Sequence, residues 1–407
     1  MIRTHIRYLR TLVIGVVATF AIAGMAVAGV SDAIVKIGVL DDLSGPYSEL
    51  QGKGDVVAAR MAIEDFGGKV LGMPIELVSG DLQNKVDIGL AIAREWYDEE
   101  KVDAIFGLGN SAVALAVQDL TRAKDRIDVV IAAGTPELTG AKCSPNGVHW
   151  TYDNYALPRG TALATLRDGG NSWFFITADY AFGHSLEAST RSVIEANGGK
   201  VLGAVRAPIN TADFSSFILQ AQSSGAEVIA LANAGADMTN AMKQLVEFGV
   251  PKGGQRIVGM LVTLTDIHSL GLKAAQGLTF TTAYYWDQND ETRAFAKRFQ
   301  AIHGAPPTMM QASMYGAVIH YLKAIKAAGS DSAKPVMAKM REMPINDFMT
   351  HNGVVREDGR VVRDLYLVRV KPEAESKGEW DLLKVLATIK GEDAFRPLKD
   401  GGCPFVK

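Results

Sequence analysis

The chain has 407 residues, a length typical of two or three domains rather than one. Hydrophobic residues make up 48% of the sequence and charged residues 21%, which excludes a largely disordered chain. The formal net charge is −3 and no block rich in lysine and arginine stands out, so we expect no nucleic-acid partner.

The first 28 residues have the pattern of a secretory signal peptide. Three arginines precede an apolar stretch from Leu12 to Ala23, and Ala26-Val27-Ala28 fits a small-residue cleavage site. A permanent membrane anchor is the alternative that the apolar stretch leaves open. We expect cleavage near Ala28 and export of the remaining chain.

Export changes the interpretation of the two cysteines, because thiols outside the cytosol can pair. Cys143 and Cys403 both lie in sequences typical of exposed turns. A Cys143–Cys403 disulfide would tie the C-terminal tail to the middle of the chain. Two separate free thiols remain the alternative.

From residue 34 the chain alternates between strand and helix patterns. In the first half the predicted strands are Ile34–Leu40, Ile75–Val78, Val102–Phe106 and Val129–Ala133, and the predicted helices are Val56–Phe66, Gly89–Tyr97 and Ala112–Ala123. Continuous apolar strands between helices indicate a parallel sheet covered on both faces.

The alternation pauses near residues 150–160 and then starts again. The second half gives predicted strands at Trp173–Thr177, Val201–Val205, Val228–Leu231 and Ile257–Met260, with helices at Thr161–Arg167, Leu186–Ala196, Phe214–Gln222 and Met238–Phe248. A third stretch contains an extended segment at Leu278–Thr282 and helices near 291–302 and 312–327. Two final extended segments, Asp364–Val370 and Leu382–Ile389, could pair antiparallel.

This order predicts an α/β fold with two similar lobes, each built on a parallel central sheet. We predict that residues 29–155 and 282–345 form lobe 1, and that residues 156–281 and 346–407 form lobe 2 with the C-terminal tail. Several chain crossings between two lobes make a hinge, and a hinge makes a cleft. Ligands of open α/β sheets bind beyond the C-terminal ends of the strands, so we expect the site in that cleft.

Polar and aromatic residues follow the predicted strands, as a cleft of this kind requires. We take as candidate ligand-binding residues those that lie in the loops after the strands, namely Tyr47, Asn110, Ser111, Ala133, Gly134, Thr135, Tyr180, Phe182, Asn233 and Thr263. Asn110 and Ser111 directly precede a helix, whose free N–H groups and partial positive charge can hold a carboxylate. Capping of the helix by Asn110 is the alternative role, and both can hold together.

Two enzyme-like patterns give weaker support to other functions. Residues 107–112 match the G-x-G-x-x-A pattern of dinucleotide-binding proteins, but they follow the third strand, and the next strand carries no ribose-binding acid. His184 lies beside Ser185, but adjacent residues are poorly placed for a catalytic triad. The chain lacks a phosphate-binding loop, an H-E-x-x-H motif and a G-x-S-x-G motif, so we expect no enzyme and no cofactor.

Several motifs, in order along the chain, resemble those of the periplasmic leucine/isoleucine/valine-binding protein family. They are Leu43-Ser44-Gly45-Pro46, Ala58-Ala59-Arg60-Met61-Ala62-Ile63-Glu64-Asp65, Gly134-Thr135-Pro136-Glu137-Leu138-Thr139, Tyr180-Ala181-Phe182-Gly183 and Asp213-Phe214-Ser215-Ser216. The resemblance implies the type I periplasmic binding protein fold, with two Rossmann-like lobes joined by a three-crossover hinge. It also implies a periplasmic monomer that delivers a small molecule to a membrane ABC permease and catalyses nothing.

The resemblance also implies roles for residues. Ser111 matches the family serine that binds the ligand carboxylate, and Ala133–Thr135 matches a loop that adds hydroxyl and main-chain contacts. Phe182 lies where amino-acid-binding members carry an aromatic residue. The acid that holds the ligand ammonium should lie near Leu261–Thr263, but no carboxylate occurs there before Asp266.

This departure bears on the ligand, because a buried ammonium without a carboxylate would carry an uncompensated desolvation cost. We therefore expect a small carboxylate without an α-ammonium, either an aromatic or an alkyl acid. An apolar wall formed by Leu261 and Val262, together with Phe182 and Tyr47, would suit it. Alternatives are an amino-acid or amide binder of the same fold, a sensory ligand-binding protein, and an exported α/β hydrolase.

Overall fold

The structure, a computed structural model, describes residues 31–406. The predicted signal peptide of residues 1–28 lies outside these residues. Across residues 31–406, no helix combines the length and the apolar character needed to cross a bilayer.

Six strands form the first sheet. In chain order they are Val35–Asp41 (β1), Lys69–Val70 (β2), Met73–Asp81 (β3), Ala104–Gly107 (β4), Ile127–Val130 (β5) and Gly147–His149 (β6). Their spatial order is β2-β3-β1-β4-β5-β6, and all neighbours are parallel except β2 and β3. The intervening helices are Gly52–Phe66 (α1), Val86–Asp98 (α2) and Ser111–Ala123 (α3). Every residue of β4 and β5 is buried, and apart from Asp128 these residues are apolar or glycine, as expected for strands covered on both faces.

The second sheet is wholly parallel and has the order β10-β9-β7-β8, where the strands are Ser172–Ala178 (β7), Lys200–Ala207 (β8), Val228–Ala232 (β9) and Arg256–Gly259 (β10). Its helices are Ala156–Arg167 (α4), Ala181–Ala196 (α5), Ser215–Ser223 (α6), Gly235–Glu247 (α7), Leu264–Leu270 (α8) and Leu272–Ala275 (α9). The first sheet with its helices is lobe 1, and the second sheet with its helices is lobe 2.

The remaining chain supplies elements to both lobes. Its helices are Asp290–His303 (α10), Met309–Ala328 (α11), Ala333–Glu342 (α12) and Gly391–Ala394 (α13), and its strands are Thr279–Thr282 (β11), Val354–Val355 (β12), Val361–Val362 (β13), Leu365–Val370 (β14) and Leu383–Ile389 (β15). Helices α10 and α11 pack on α1 of lobe 1, where Arg298 pairs with Asp65 at 2.7 Å. Strands β11, β14 and β15 form an antiparallel sheet whose apolar side chains join the core of lobe 2.

The predicted fold class is confirmed: the chain is α/β, with two lobes on parallel central sheets. The antiparallel pairing of the last two extended segments is also confirmed, as β14 with β15. The sequence pattern missed β6, β12 and β13 because each has only two or three residues. Predicted strand Val129–Ala133 starts and ends later than β5, because the apolar run continues into the loop beyond the last sheet residue.

The contacts of residues 346–363 bear on the predicted division into lobes. Strands β12 and β13 form a hairpin whose Arg360 bridges to His149 at the end of β6, and the Gly359 carbonyl accepts the His149 N–H at 2.9 Å. This hairpin therefore contacts lobe 1, whereas the predicted boundary at residue 345 assigns it to lobe 2. We propose instead that the third crossing lies between β13 and β14.

The C-terminal tail returns to lobe 1. Cys143 and Cys403 form the predicted disulfide, with 5.6 Å between their Cα atoms. Nearby, the Arg396 guanidinium donates to the Pro136 carbonyl at 3.0 Å. The two cysteines are 260 positions apart in sequence, and the disulfide links the tail to the loop before β6. The loop of chain that it closes contains all of lobe 2.

Reduction of this disulfide should destabilise the protein, because a cross-link over so long a loop restricts the unfolded chain strongly. We expect a Cys143→Ser/Cys403→Ser double variant to lose about 2–5 kcal/mol of unfolding free energy in urea titrations. The controls are the wild-type protein in its oxidised form and the same protein treated with a reductant. The reduced wild type should have the same unfolding free energy as the double variant. Equal midpoints for the oxidised and reduced wild type would contradict a stabilising role for the bond.

Candidate ligand-binding cleft

The loops that follow the strands of the two sheets face each other and line a common cavity. Lobe 2 lines the cavity with Tyr180, Phe182, Ala234 and Leu261. The lining from lobe 1 consists of Tyr47, Leu50, Gln51, Gly109, Ala132, Tyr152 and Met310. None of these eleven side chains is charged, so any charge on the ligand must be balanced by dipoles and hydrogen bonds.

Among the hydrogen bonds that join the lobes, three connect the loop after β1 to lobe 2. The Pro46 carbonyl of lobe 1 accepts the N–H of Ala236 at 3.0 Å, and the Glu49 carbonyl accepts the Thr265 hydroxyl at 3.4 Å. The hydroxyls of Tyr47 and Tyr180 meet across the cleft at 2.7 Å. These contacts exist only while the lobes are shut, so they contribute to the closed state alone.

Closure brings the backbone of Gly235 directly against lobe 1. Gly235 has φ +57°, and a Cβ atom at this position would lie 2.3 Å from the Pro46 carbonyl oxygen. A side chain here would therefore collide with the opposite lobe as the cleft closes. The positive φ alone would add strain to any residue other than glycine.

Three tyrosines line the cavity, and their hydroxyl groups make different hydrogen bonds. The Tyr152 hydroxyl donates to the Ala132 carbonyl. The Tyr47 and Tyr180 hydroxyls share one hydrogen bond, so one of them donates and the other keeps its proton for a ligand. Burial raises the pKa of Tyr47 and Tyr180 above the ordinary value for tyrosine, which keeps this pair neutral and able to donate.

Helix N-termini from both lobes point at the cleft. Residues Gln51, Tyr180 and Ala234, the N-cap residues of α1, α5 and α7, all line the cavity, and none of their side chains caps its helix. Helix α3 differs, because the Asn110 side chain accepts from the N–H groups of Ala112 and Val113. In α7 the Ala236 N–H is already bonded to the Pro46 carbonyl, so the partial positive charge at the starts of α1 and α5 suits an anionic ligand best.

The structure places three of the ten candidate residues, Tyr47, Tyr180 and Phe182, on the cavity wall. Asn110, Ala133 and Asn233 each lie one position from a lining residue. Asn110 caps α3, the Ala133 carbonyl bonds to the His149 ring at 2.7 Å, and the Asn233 amide is buried without a partner among residues 31–406. For these three, ligand contact stays a prediction.

The other four candidates take part in contacts within the protein. The Ser111 hydroxyl accepts the N–H of Thr135 at 3.2 Å, and the Thr135 hydroxyl accepts the N–H of Glu137. The Gly134 carbonyl accepts the N–H of Asn154 at 2.7 Å. Thr263 caps α8 in a capping box with Asp266, and ligand contact stays a prediction for all four.

Sequence reasoning did not select Gln51, Gly109, Tyr152 or Met310. Tyr152 follows the unrecognised strand β6, and Met310 comes from α11, more than 250 positions from Tyr47 in sequence. Gln51 is the N-cap of α1, and the glycine-rich start of that helix was the one local signal available. Leu261 was expected in an apolar wall and does line the cavity.

A family model for periplasmic binding proteins matches residues 34–379. The chain belongs to this family. Leu/Ile/Val-binding protein homolog 6 of Brucella melitensis is 28% identical over 340 residues, covering 81% of this chain and 85% of that protein. A crystal structure of a periplasmic binding protein from Burkholderia mallei is 46% identical, with a TM-score of 0.90, and covers 92% of this chain and all of that one.

A solute-binding protein of an ABC transporter from Rhodopseudomonas palustris, solved in complex with p-hydroxybenzoic acid, is 26% identical with a TM-score of 0.80. The match covers 88% of this chain and 97% of that one. This periplasmic binding protein is therefore a substrate-binding component of an ABC transporter and not an enzyme. The resemblance stated from the sequence is confirmed, as are the periplasmic location and the small-molecule ligand that the family implies.

Beneath the cleft of this periplasmic binding protein lies a pair of fully buried carboxyl groups, Asp41 and Asp55. Asp41 Oδ1 accepts the N–H of Gly109 at 3.1 Å, so the pair supports a lining residue. Burial raises the pKa of Asp41, and the neighbouring Asp55 raises it further. Burial likewise raises the pKa of Asp55, to about 7. A proton retained on one carboxyl lets it donate to the other.

Replacement of Gly235 should impair closure. We expect Gly235→Ala to stay open under conditions that close the wild type, because its Cβ atom would meet the Pro46 carbonyl at 2.3 Å. Gly225→Ala is a matched control, since Gly225 has φ +67° and a Cβ atom there would have no other atom within 4 Å. Small-angle X-ray scattering should give a larger radius of gyration for Gly235→Ala alone. Identical radii for all three proteins would contradict the closure contact.

The Asp41–Asp55 pair should make stability depend on pH. The folded protein keeps a proton that the unfolded chain releases above the ordinary carboxyl pKa near 4, so unfolding free energy falls as the pH rises from about 4 towards 7. Asp55→Asn removes this penalty and lets the amide donate to Asp41. We expect the variant to gain about 2–4 kcal/mol over the wild type at pH 8 and much less at pH 5.

Thermal or urea unfolding at the two pH values measures this difference. Asp87→Asn is the control for charge, because Asp87 is exposed in the first turn of α2. An Asp55→Asn effect that is the same at pH 5 and pH 8 would show that the pair does not retain a proton.

Proposed function

We propose that this periplasmic binding protein binds a small aromatic carboxylate that lacks an α-ammonium group and presents it to an ABC permease. The observation that carries the proposal is the composition of the cavity wall, which has aromatic and aliphatic side chains, uncapped helix N-termini and no charged side chain. Such a wall can accommodate a ring and one negative charge but supplies nothing to neutralise an ammonium.

Asp266 is the first acidic residue beyond Leu261–Thr263, where the family resemblance places the acid that binds a ligand ammonium. Asp266 does not line the cavity, and its side chain accepts from both the N–H and the hydroxyl of Thr263 at 2.8 Å. Burial raises the pKa of Asp266 to about 7. Asp266 therefore serves the start of α8, and an α-ammonium in the cavity would remain unpaired.

We place the ligand carboxylate at the N-terminus of α5. Tyr180, the N-cap residue, leaves the first turn of this 16-residue helix without a side-chain cap, and its hydroxyl belongs to the tyrosine pair that keeps one proton free. The resemblance implied a position at Ser111, but Ser111 does not line the cavity, and Asn110 already caps α3. Uncapped N–H groups gain more from an anion than capped ones do.

The aromatic side chains of the cavity wall favour a ligand with a ring. The tilted pair of Tyr180 and Phe182, with ring centroids 5.9 Å apart, offers an aromatic wall on one side. The R. palustris relative that holds p-hydroxybenzoic acid supports the same ligand class.

Titration calorimetry with benzoate, 4-hydroxybenzoate, hexanoate, benzamide and leucine tests this proposal. We expect the aromatic acids to bind at least tenfold more tightly than leucine, because leucine would bury an ammonium without a partner. Tight leucine binding with inert aromatic acids would overturn the proposal and favour the amino-acid alternative. Tight binding of benzamide but not benzoate would favour an amide binder.

Two variants check the position of the carboxylate. Loss of a hydrogen bond to a charged group costs about 1.5–3 kcal/mol, so Tyr180→Phe should weaken benzoate binding roughly 10- to 150-fold. Tyr152→Phe is the matched control, because the Tyr152 proton is already donated to the Ala132 carbonyl. A loss in Ser111→Ala larger than that in Tyr180→Phe would instead place the carboxylate at α3.

A further inference from the structure

The side-chain amide of Gln51 is buried in the cleft without a partner. Gln51 is 1% exposed, and among residues 31–406 neither its Oε1 nor its Nε2 atom has a hydrogen-bond partner. Both atoms belong to a residue that lines the cavity. A buried amide in a native protein is normally satisfied, so this one calls for a group that the cavity receives.

The amide has no role in building the fold. It does not cap α1, although Gln51 is the N-cap residue of that helix. The structural contacts of Gln51 are made by its backbone, whose carbonyl accepts from the Asp55 N–H at 3.1 Å and from Gln311 Nε2 at 3.3 Å. The side chain is therefore available to a ligand without any loss to the protein.

The chemistry of the two free atoms restricts the group that they can bind. Nε2 donates and Oε1 accepts, so a partner that satisfies both must accept and donate. A carboxylate only accepts and would leave Oε1 unsatisfied. A hydroxyl does both, as do two neighbouring hydroxyls on one ring.

Among the lobe 1 residues of the cavity wall, Gln51 has a donor and an acceptor that are both unpaired within residues 31–406. Tyr152 donates to Ala132, and Tyr47 is paired with Tyr180. Gly109 lies beside the amide, since a Cβ atom at Gly109 would come within 1.8 Å of Gln51 Nε2. Only a glycine leaves room for the amide at this position.

We propose that Gln51 recognises a hydroxyl substituent on the ligand ring and so selects hydroxylated aromatic acids over unsubstituted ones. The inference rests on the proposed function and adds the ring substituent to it. The carboxylate then contacts α5 of lobe 2 while the hydroxyl contacts the start of α1 in lobe 1. One ligand bridges both lobes and stabilises the closed form through contacts that require both.

The experiment compares dissociation constants for benzoate and 4-hydroxybenzoate by titration calorimetry in the wild type and in Gln51→Met. Methionine is close to glutamine in length and flexibility but offers no comparable hydrogen bond. Met310→Leu serves as the control variant, because it alters the apolar wall without touching the amide. Thermal unfolding without ligand accompanies each variant, and Gln51→Met should unfold at or above the wild-type temperature since it removes an unpaired buried amide.

We expect the wild type to bind 4-hydroxybenzoate at least tenfold more tightly than benzoate. Gln51→Met should bring that ratio close to one, whereas Met310→Leu should change both constants by a similar factor. A wild-type ratio near one, or an equal loss of both ligands in Gln51→Met, overturns the role of Gln51 and leaves the aromatic-acid proposal standing. Failure of the wild type to bind either acid overturns both proposals.

Discussion

The cleft depends on helix N-termini from both lobes meeting where the parallel strands of each lobe end. Because each strand leads into a helix through a short loop, the first turns of α1, α5 and α7 lie at one shared surface. Backbone dipoles then provide the positive field that charged side chains would otherwise supply. This allows the cavity wall to have no charged side chain, and it requires the lobes to close, since each contributes only part of the wall.

The two-lobe fold could be predicted because its strands are buried on both faces. Strands such as β4 and β5 consist almost wholly of apolar residues, and the helices between them show a clear amphipathic spacing. The hairpin of β12 and β13 could not be predicted, because a strand of two residues is too short to show an alternation of apolar and polar side chains. The proposed place of this hairpin in lobe 1 rests on the bridge between Arg360 and His149 of β6, two residues more than 200 positions apart in sequence.

The site could be predicted only where it lies in a loop directly after a recognised strand. Tyr47, Tyr180 and Phe182 follow β1 and β7, and the sequence pattern selects them for that reason. Ser111 was selected because it directly precedes a helix and by family position, yet it does not line the cavity, a packing detail that local sequence does not encode. Gln51 and Met310 enter the cavity only because α1 and α11 pack together.

A crystal structure of the protein with 4-hydroxybenzoate would show where the ring, the carboxylate and the hydroxyl lie. We expect one ring in the closed cleft beside Phe182, with its carboxylate at the first turn of α5 and its hydroxyl at the Gln51 amide. A ring bound outside this cavity would contradict both proposals. So would a carboxylate held by Ser111, or a cleft that stays open around the ligand.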